Sequence, residues 1–406
     1  MDLMDPYQAL RFREYRSFLA GSVALTMGTQ IQTLVMGWQV YHITHDPLSL
    51  GFIGLCEAAP FLALTLIGGY AADRMDRRRL SLLALAALLL GAALLLSLNL
   101  GAEPRLVWPF YAIQALAGAG RAFYRPASQA LGTELVPVEA YQNAATWRGS
   151  TIQLAQVLGP ALGGLILGYG SAFLAYLVEG LLMAGAVVAM LLVAPRPRAL
   201  KHTQLLKGLG EGVVFVFKDA LLLGSMSLDL FAVLFGGAVA LLPVFAADVL
   251  HVGPQGFGLL RTAPAGGSVL MGLWLAHHPP MRRSGLILLG CVGVFGLCWI
   301  GFSLSWSFWL SMVLLALSGA MDNVSVMLRN TLLQGRTPPE MMGRVSAVGG
   351  FFIGSSNELG GFESGLAAKL MGLIPSVVFG GCMTLGVVGI IGWKVPELKN
   401  LQKILE

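Results

Sequence analysis

Charge is scarce in this chain. Of 406 residues only 12% are Asp, Glu, Lys or Arg, against roughly 25% in a soluble domain, so water is not the main solvent of its surface. Cysteine is scarcer still. Cys56, Cys291, Cys298 and Cys382 all fall in apolar runs, without the spacing of metal ligands or of a secreted disulfide framework. The six histidines form no ligand set: His277 and His278 sit beside Pro279 with no carboxylate nearby in sequence. A Gly-Lys-Ser/Thr phosphate loop is lacking, and so is a nucleophile elbow. These absences speak against ATP hydrolysis, a metal site, an enzyme and a cofactor.

What fills the chain is apolar. Hydrophobic residues make up 56% of it, glycines number 52, and the mean hydropathy is +0.74. A helix needs about 20 apolar residues to cross hydrocarbon. Twelve such runs are expected, at 18–42, 49–72, 80–100, 106–133, 140–168, 171–194, 220–247, 255–278, 284–304, 306–333, 343–369 and 372–394. The first is preceded by a polar stretch with Arg11, Arg13 and Arg16, so it reads as a retained helix rather than a cleaved signal. The one long connection, 195–219, divides an N-terminal six-helix bundle (1–194) from a C-terminal one (220–406). Its second part, Leu205 to Phe217, has the pattern of an amphipathic surface segment.

The placement of the cations tests that count. With both termini cytoplasmic, the inner segments hold nineteen Lys and Arg and the outer loops two, Arg105 and Lys369. Cytoplasmic loops carry the basic excess, and one missed helix would invert every later loop. The same spread along a membrane face disposes of a nucleic-acid partner, despite the net charge of +5.

Two halves of like orientation are also written in a weak repeat at an offset of 201. Leu116-Ala-Gly-Ala matches Leu317-Ser-Gly-Ala, Pro137-Val-Glu139 matches Pro338-Pro-Glu340, and Gly159 matches Gly360. Between the second and third runs stands Gly69-Tyr-Ala-Ala-Asp73-Arg74-Met-Asp-Arg77-Arg78-Arg79. This turn resembles the loop signature between helices two and three of major facilitator superfamily transporters. Gly159-Pro160-Ala-Leu-Gly163-Gly164 is similar to the core of that superfamily's antiporter motif, although Thr146 and Ala155 stand where the longer pattern has glycines. Phe123-Tyr-Arg-Pro126-Ala, Glu134-Leu-Val-Pro137 and Thr337-Pro338-Pro-Glu-Met-Met-Gly343-Arg344-Val resemble the exporter branch that includes the bacterial enterobactin exporter.

The resemblance implies an all-α polytopic membrane protein of twelve transmembrane helices. It would sit as a monomer in the bacterial inner membrane and work by alternating access. The expected function is proton-coupled efflux of a siderophore-like or amphipathic drug-like small molecule. A lysophospholipid flippase on the same fold, and a channel or non-transporting receptor, are the alternatives. By resemblance, Asp73 would receive the start of helix eleven near Gly343 and Arg344, and Arg77 would meet Glu134. Arg74 would mainly orient the chain, and Gly159 and Pro160 would bend helix five.

Ionisable groups at membrane depth cost about 2.5–3.5 kcal/mol each on insertion scales and face a cavity or a partner. Candidates for substrate binding or proton coupling are Glu57, Arg121, Arg125, Arg148, Asp229, Arg261, Asp322, Arg329 and Glu358, with polar Gln30, Gln114 and Asn357. Arg121 and Arg125 share a helix face. Asp322 stands at the repeat equivalent of Arg121, so the two are expected to pair as a switch. The alternative for each carboxylate is a fixed salt bridge. Trp38, Tyr41, Tyr111, Phe123, Tyr124 and Trp147 would suit an aromatic substrate, or would simply pack.

Overall fold

The computed structural model describes residues 5–101, 104–196, 205–278, 283–338 and 340–401. Thirteen long helices account for most of them: α1 (Arg13–Thr44), α2 (Pro47–Arg74), α3 (Arg77–Leu98), α4 (Trp108–Glu134), α5 (Tyr141–Tyr169), α6 (Ala172–Leu191), α7 (Leu205–Lys218), α8 (Ala220–Gly236), α9 (Gly253–His277), α10 (Ser284–Ser303), α11 (Phe308–Arg336), α12 (Met342–Met371) and α13 (Leu373–Lys394). No strand occurs among the described residues. Of these residues, nine helical stretches are long and apolar enough to cross a membrane. The expected spans outside that set are α4, α9 and α12, which carry arginines, lysine or carboxylates along their length.

Helix starts follow local chemistry. Asp76 caps α3 by accepting from Arg79 N at 2.8 Å, and Ser171 caps α6 through Leu174 N at 3.2 Å. Asp219 caps α8 through Leu221 N and Leu222 N, each cap satisfying otherwise orphaned amides. The run expected as one helix over 220–247 is broken. After Gly236 the backbone leaves the helical region at Gly237, makes a 3-10 turn over Ala238–Leu241 and ends in a π turn over Phe245–Val249. Paired glycines and Pro243, which has no N–H to donate, weaken the helix there.

The chain clusters into two compact units, Met1–His45 with Cys56–Thr203 and Gly253–Gly258, and Asp46–Leu55 with Gln204–Val252 and Leu259–Glu406. In the first, α1 packs on α5 and α6, and α3 on α4 and α6. Tyr15, Phe18, Leu85, Leu131 and Met183 form its core. In the second, α8 packs on α12 and α13, and α10 on α11 and α13, around Leu222, Leu228, Leu288, Leu328 and Ile391. The same four pairings recur in the same chain order, which is what a parallel repeat requires. The amphipathic helix α7 lies on α12, with Val216 buried beside Met226, Val345 and Val348. Residues 197–204 of the expected linker lie outside the described residues.

Glycine permits the closest approaches. A Cβ on Gly118 would come 3.1 Å from Glu57 Cα, and one on its repeat mate Gly319 would come 2.6 Å from Pro264 Cα. The repeat glycines therefore do equivalent work, seating α4 on α2 and α11 on α9. Within the first unit a Cβ on Gly164 would lie 2.7 Å from Gly258 Cα. Within the second, Lys369 of α12 donates to Asp46 at 2.7 Å. Partial burial pushes the Asp46 carboxyl up, but hydrogen bonds from Lys369 and Leu48 N–H, with the lysine charge, outweigh it and hold the group below its ordinary value.

Arg78 donates to the carbonyls of Met190 and Leu191 at 3.3 and 3.0 Å, covering the last turn of α6 with a cation. Arg78→Gln is expected to cost roughly 1 kcal/mol of stability, seen as a lower unfolding temperature in detergent, whereas Arg74→Gln leaves it unchanged. Gly164→Leu should destabilise by about 1–3 kcal/mol through overpacking. Gly180→Leu, at a position with open space beside it, is the control that should not.

Candidate functional site

The first unit holds a buried ionic cluster built on Gly118. Gln114 stands four residues before it and Arg121 three after it, on one face of α4. Because Gly118 lets α4 touch α2 at Glu57, both side chains reach that carboxylate. Arg121 forms an ion pair with Glu57, and the Gln114 amide donates to it. Glu57 and Gln114 are buried. Arg121 thus has a carboxylate partner inside its own unit, one sixty-four residues away in sequence.

One turn further along α4 opens a cavity of about 790 Å³, lined wholly by residues of the first unit. Arg121, Arg125 and Arg148 line it, as do Thr26, Thr29, Gln30, Gln129 and Gln156. Tyr15, Tyr124 and Tyr141 add aromatic rims. No carboxylate is among the lining residues. Arg125 lies over the Phe61 ring, 4.9 Å from its centroid. Arg148 lies over Phe18 at 5.4 Å and donates to Ser128 Oγ at 3.1 Å. Aromatic faces and a hydroxyl orient these guanidiniums without neutralising them. Gln30 is fixed from behind: a Cβ on Gly159 would lie 2.6 Å from Gln30 Cβ, and Gly163 similarly abuts Ile31. Gly159 and Pro160, both buried on α5, therefore shape the packing of α5 on α1 and the floor of the cavity.

In the second unit Asp229 of α8 is buried and pairs with Arg329 of α11. Asp322, on the same face of α11 two turns before Arg329, lines a small crevice together with Asp229, Met321 and Ser325. Arg261 stands on α9 of the same unit. Asn357 is exposed and donates one amide N–H to Ile353 O of its own helix at 2.8 Å. The Glu358 side chain lies outside the described residues.

The charged turn divides its labour. Arg77 donates to Glu134 at 2.5 Å and to Ala130 O at 3.2 Å, joining the start of α3 to the end of α4. Arg74 is exposed over the Tyr70 ring at 4.4 Å. Asp73 is half-buried at the end of α2. Arg344 pairs with Glu211 of α7, and Gly343 is exposed at the start of α12. The Arg344 contact and the role of Arg78 were missed from sequence, because both partners lie far away in the chain.

Among the aromatics, Tyr124 faces the cavity. Trp38 stacks on Phe257 with centroids 5.8 Å apart, Trp147 donates to Pro6 O at 2.9 Å, and Phe123 packs against the core. These three are packing residues. No group of three His, Cys, Asp or Glu side chains able to hold a metal occurs among the described residues.

The comparisons agree with this architecture. The Major Facilitator Superfamily profile matches residues 18–361. The enterobactin exporter EntS of Shigella flexneri is 29% identical over 326 residues, covering 76% of this chain and 74% of that protein. EntS of Citrobacter koseri is 30% identical over 329 residues with the same coverage. A POT family transporter solved with a thioalcohol-conjugated peptide superposes with a TM-score of 0.75 at 13% identity, over 96% of this chain and 98% of that one. A mutant of the nucleoside transporter NupG gives 0.69 at 11% identity, over 94% and 100%. These two share the fold. The chain is a membrane-spanning transporter, not an enzyme, and belongs to the major facilitator superfamily.

Proposed function

We propose that this transporter exports an anionic, aromatic small molecule of siderophore-like character across the bacterial inner membrane, in exchange for protons and by alternating access, with both termini cytoplasmic. The observation that carries the reading is the cavity of about 790 Å³ with three arginines and no carboxylate in its lining. Arg121 is matched by Glu57, so Arg125 and Arg148 supply the charge that a substrate acid would neutralise. Charge-assisted hydrogen bonds from guanidinium to an acid are among the stronger polar contacts. Tyr124 and Tyr141 bring aromatic rings to the same lining, which suits an aromatic acid, while the buried Tyr15 is held by donating to Ala144 O at 2.5 Å. Relatives named for enterobactin export support the direction.

Proton exchange draws on the buried carboxylates of both units, Glu57 with Arg121 and Asp229 with Arg329 beside Asp322. An acid held among apolar helices changes its protonation when its cation partner moves away.

The test is efflux from proteoliposomes under an imposed pH gradient, with aromatic acids and their neutral esters as paired substrates. Efflux of the acids should follow the gradient and that of the esters should be weak. Arg125→Gln and Arg148→Gln should each weaken binding of the acid about tenfold, or about 1.4 kcal/mol, with little effect on the ester. Equal handling of acid and ester contradicts the substrate class. Efflux indifferent to the gradient contradicts proton exchange, and preference for lysophospholipid favours a flippase.

A further inference from the structure

Helix α7 has 14 residues, about 21 Å of α-helix, too short to cross the hydrocarbon. It nevertheless presents small or apolar residues on two faces. Gly212 and Val216, four apart, are buried on α12, and a Cβ on Gly212 would come 3.0 Å from the Arg344 backbone. Val213, Val214 and Phe217 lie on another face, at spacings of three and four, and are 41, 52 and 59% exposed. A helix whose outer face met water would carry polar residues there.

Chain continuity says what covers that face. Only Asp219 separates α7 from α8, which opens the apolar stretch Ala220–Val249, one of those long enough to span a membrane. Asp219 also pairs with Arg336, the last residue of α11, at 2.7 Å. On its other side α7 lies beside the first turn of α12, at Arg344 and Val345. The end of α11 and the starts of α8 and α12 thus stand around α7, at the level where membrane-spanning helices meet the membrane surface. Lys218, exposed at the last position of α7, has the apolar stem and charged head of an interfacial lysine. Toward α12 the helix is polar, with Glu211 paired to Arg344.

We propose that α7 is an interfacial anchor whose partner is the lipid bilayer. Val213, Val214 and Phe217 enter the adjoining leaflet, cytoplasmic in the orientation given above, and Lys218 meets lipid phosphate. The Glu211–Arg344 pair then ties the start of α12 to the anchored helix, so the second unit is held to the leaflet at the entry of α12 as well as by its spans.

Spin labels on the full-length protein, reconstituted into vesicles of phosphatidylethanolamine and phosphatidylglycerol, test both parts. Cys56→Ala and Cys382→Ala remove the accessible thiols, while the buried Cys291 and Cys298 stay unreactive. Labels at Val213→Cys, Val214→Cys and Phe217→Cys occupy exposed positions, where substitution leaves the fold intact. They should be relaxed more by lipid-dissolved oxygen than by a water-soluble nickel chelate. A label at Glu340→Cys, in the exposed turn before α12, should show the reverse. Nickel-dominated relaxation at 213, 214 and 217 places that face in water and overturns the anchor. Shielding of the three labels from both reagents means a protein partner, and overturns it too. A label at Gly343→Cys, where a side chain meets open space, reads the tie. Its mobility should rise in Glu211→Gln, and also in the double change Val214→Glu with Phe217→Glu, which expels the helix from lipid. Unchanged mobility in either variant overturns the tie between the bilayer and α12.

Discussion

An arginine among apolar helices must be matched, and the first unit is organised around matching Arg121. The ion pair with Glu57 is possible only because α4 carries glycine where it crosses α2. Removing one partner of a buried pair typically costs about 3–5 kcal/mol, since it strands the other charge. That cost ties the seating of α4 and the position of the cavity wall one turn along to a single contact. The cavity-lining arginines Arg125 and Arg148 differ from it. They rest on aromatic rings and a hydroxyl, which hold a guanidinium in place and leave its charge available.

The second unit repeats the scaffold with changed chemistry. Gly319 does for α11 what Gly118 does for α4, and the helix pairings recur. Yet the position three residues beyond the glycine is Asp322 rather than an arginine, and the ion pair is Asp229 with Arg329. The duplicated frame thus presents a cation-rich cavity in one unit and an acid-lined crevice in the other. A shared backbone geometry carries divergent side chains in the two units.

Much of the fold was legible because bilayer chemistry acts locally. Apolar runs of fixed length, bounded by charged turns, announce helices without knowledge of their neighbours, and every expected run has a helical counterpart. Gly236-Gly237 and Pro243 were visible in the sequence, and their break in α8 belongs to the same local kind of information. The site was less legible. Arg121 and Arg125 could be placed on one face from their spacing, and Arg77 with Glu134 from resemblance. The pairing of Arg121 with Glu57 could not, because it depends on the close approach of α4 to α2 at Gly118.

The most direct measurement is a structure of the transporter with an aromatic acid bound. The acid groups should lie against Arg125 and Arg148 in the first unit, with the ring beside Tyr124. A ligand held elsewhere, touching neither arginine, would contradict the account.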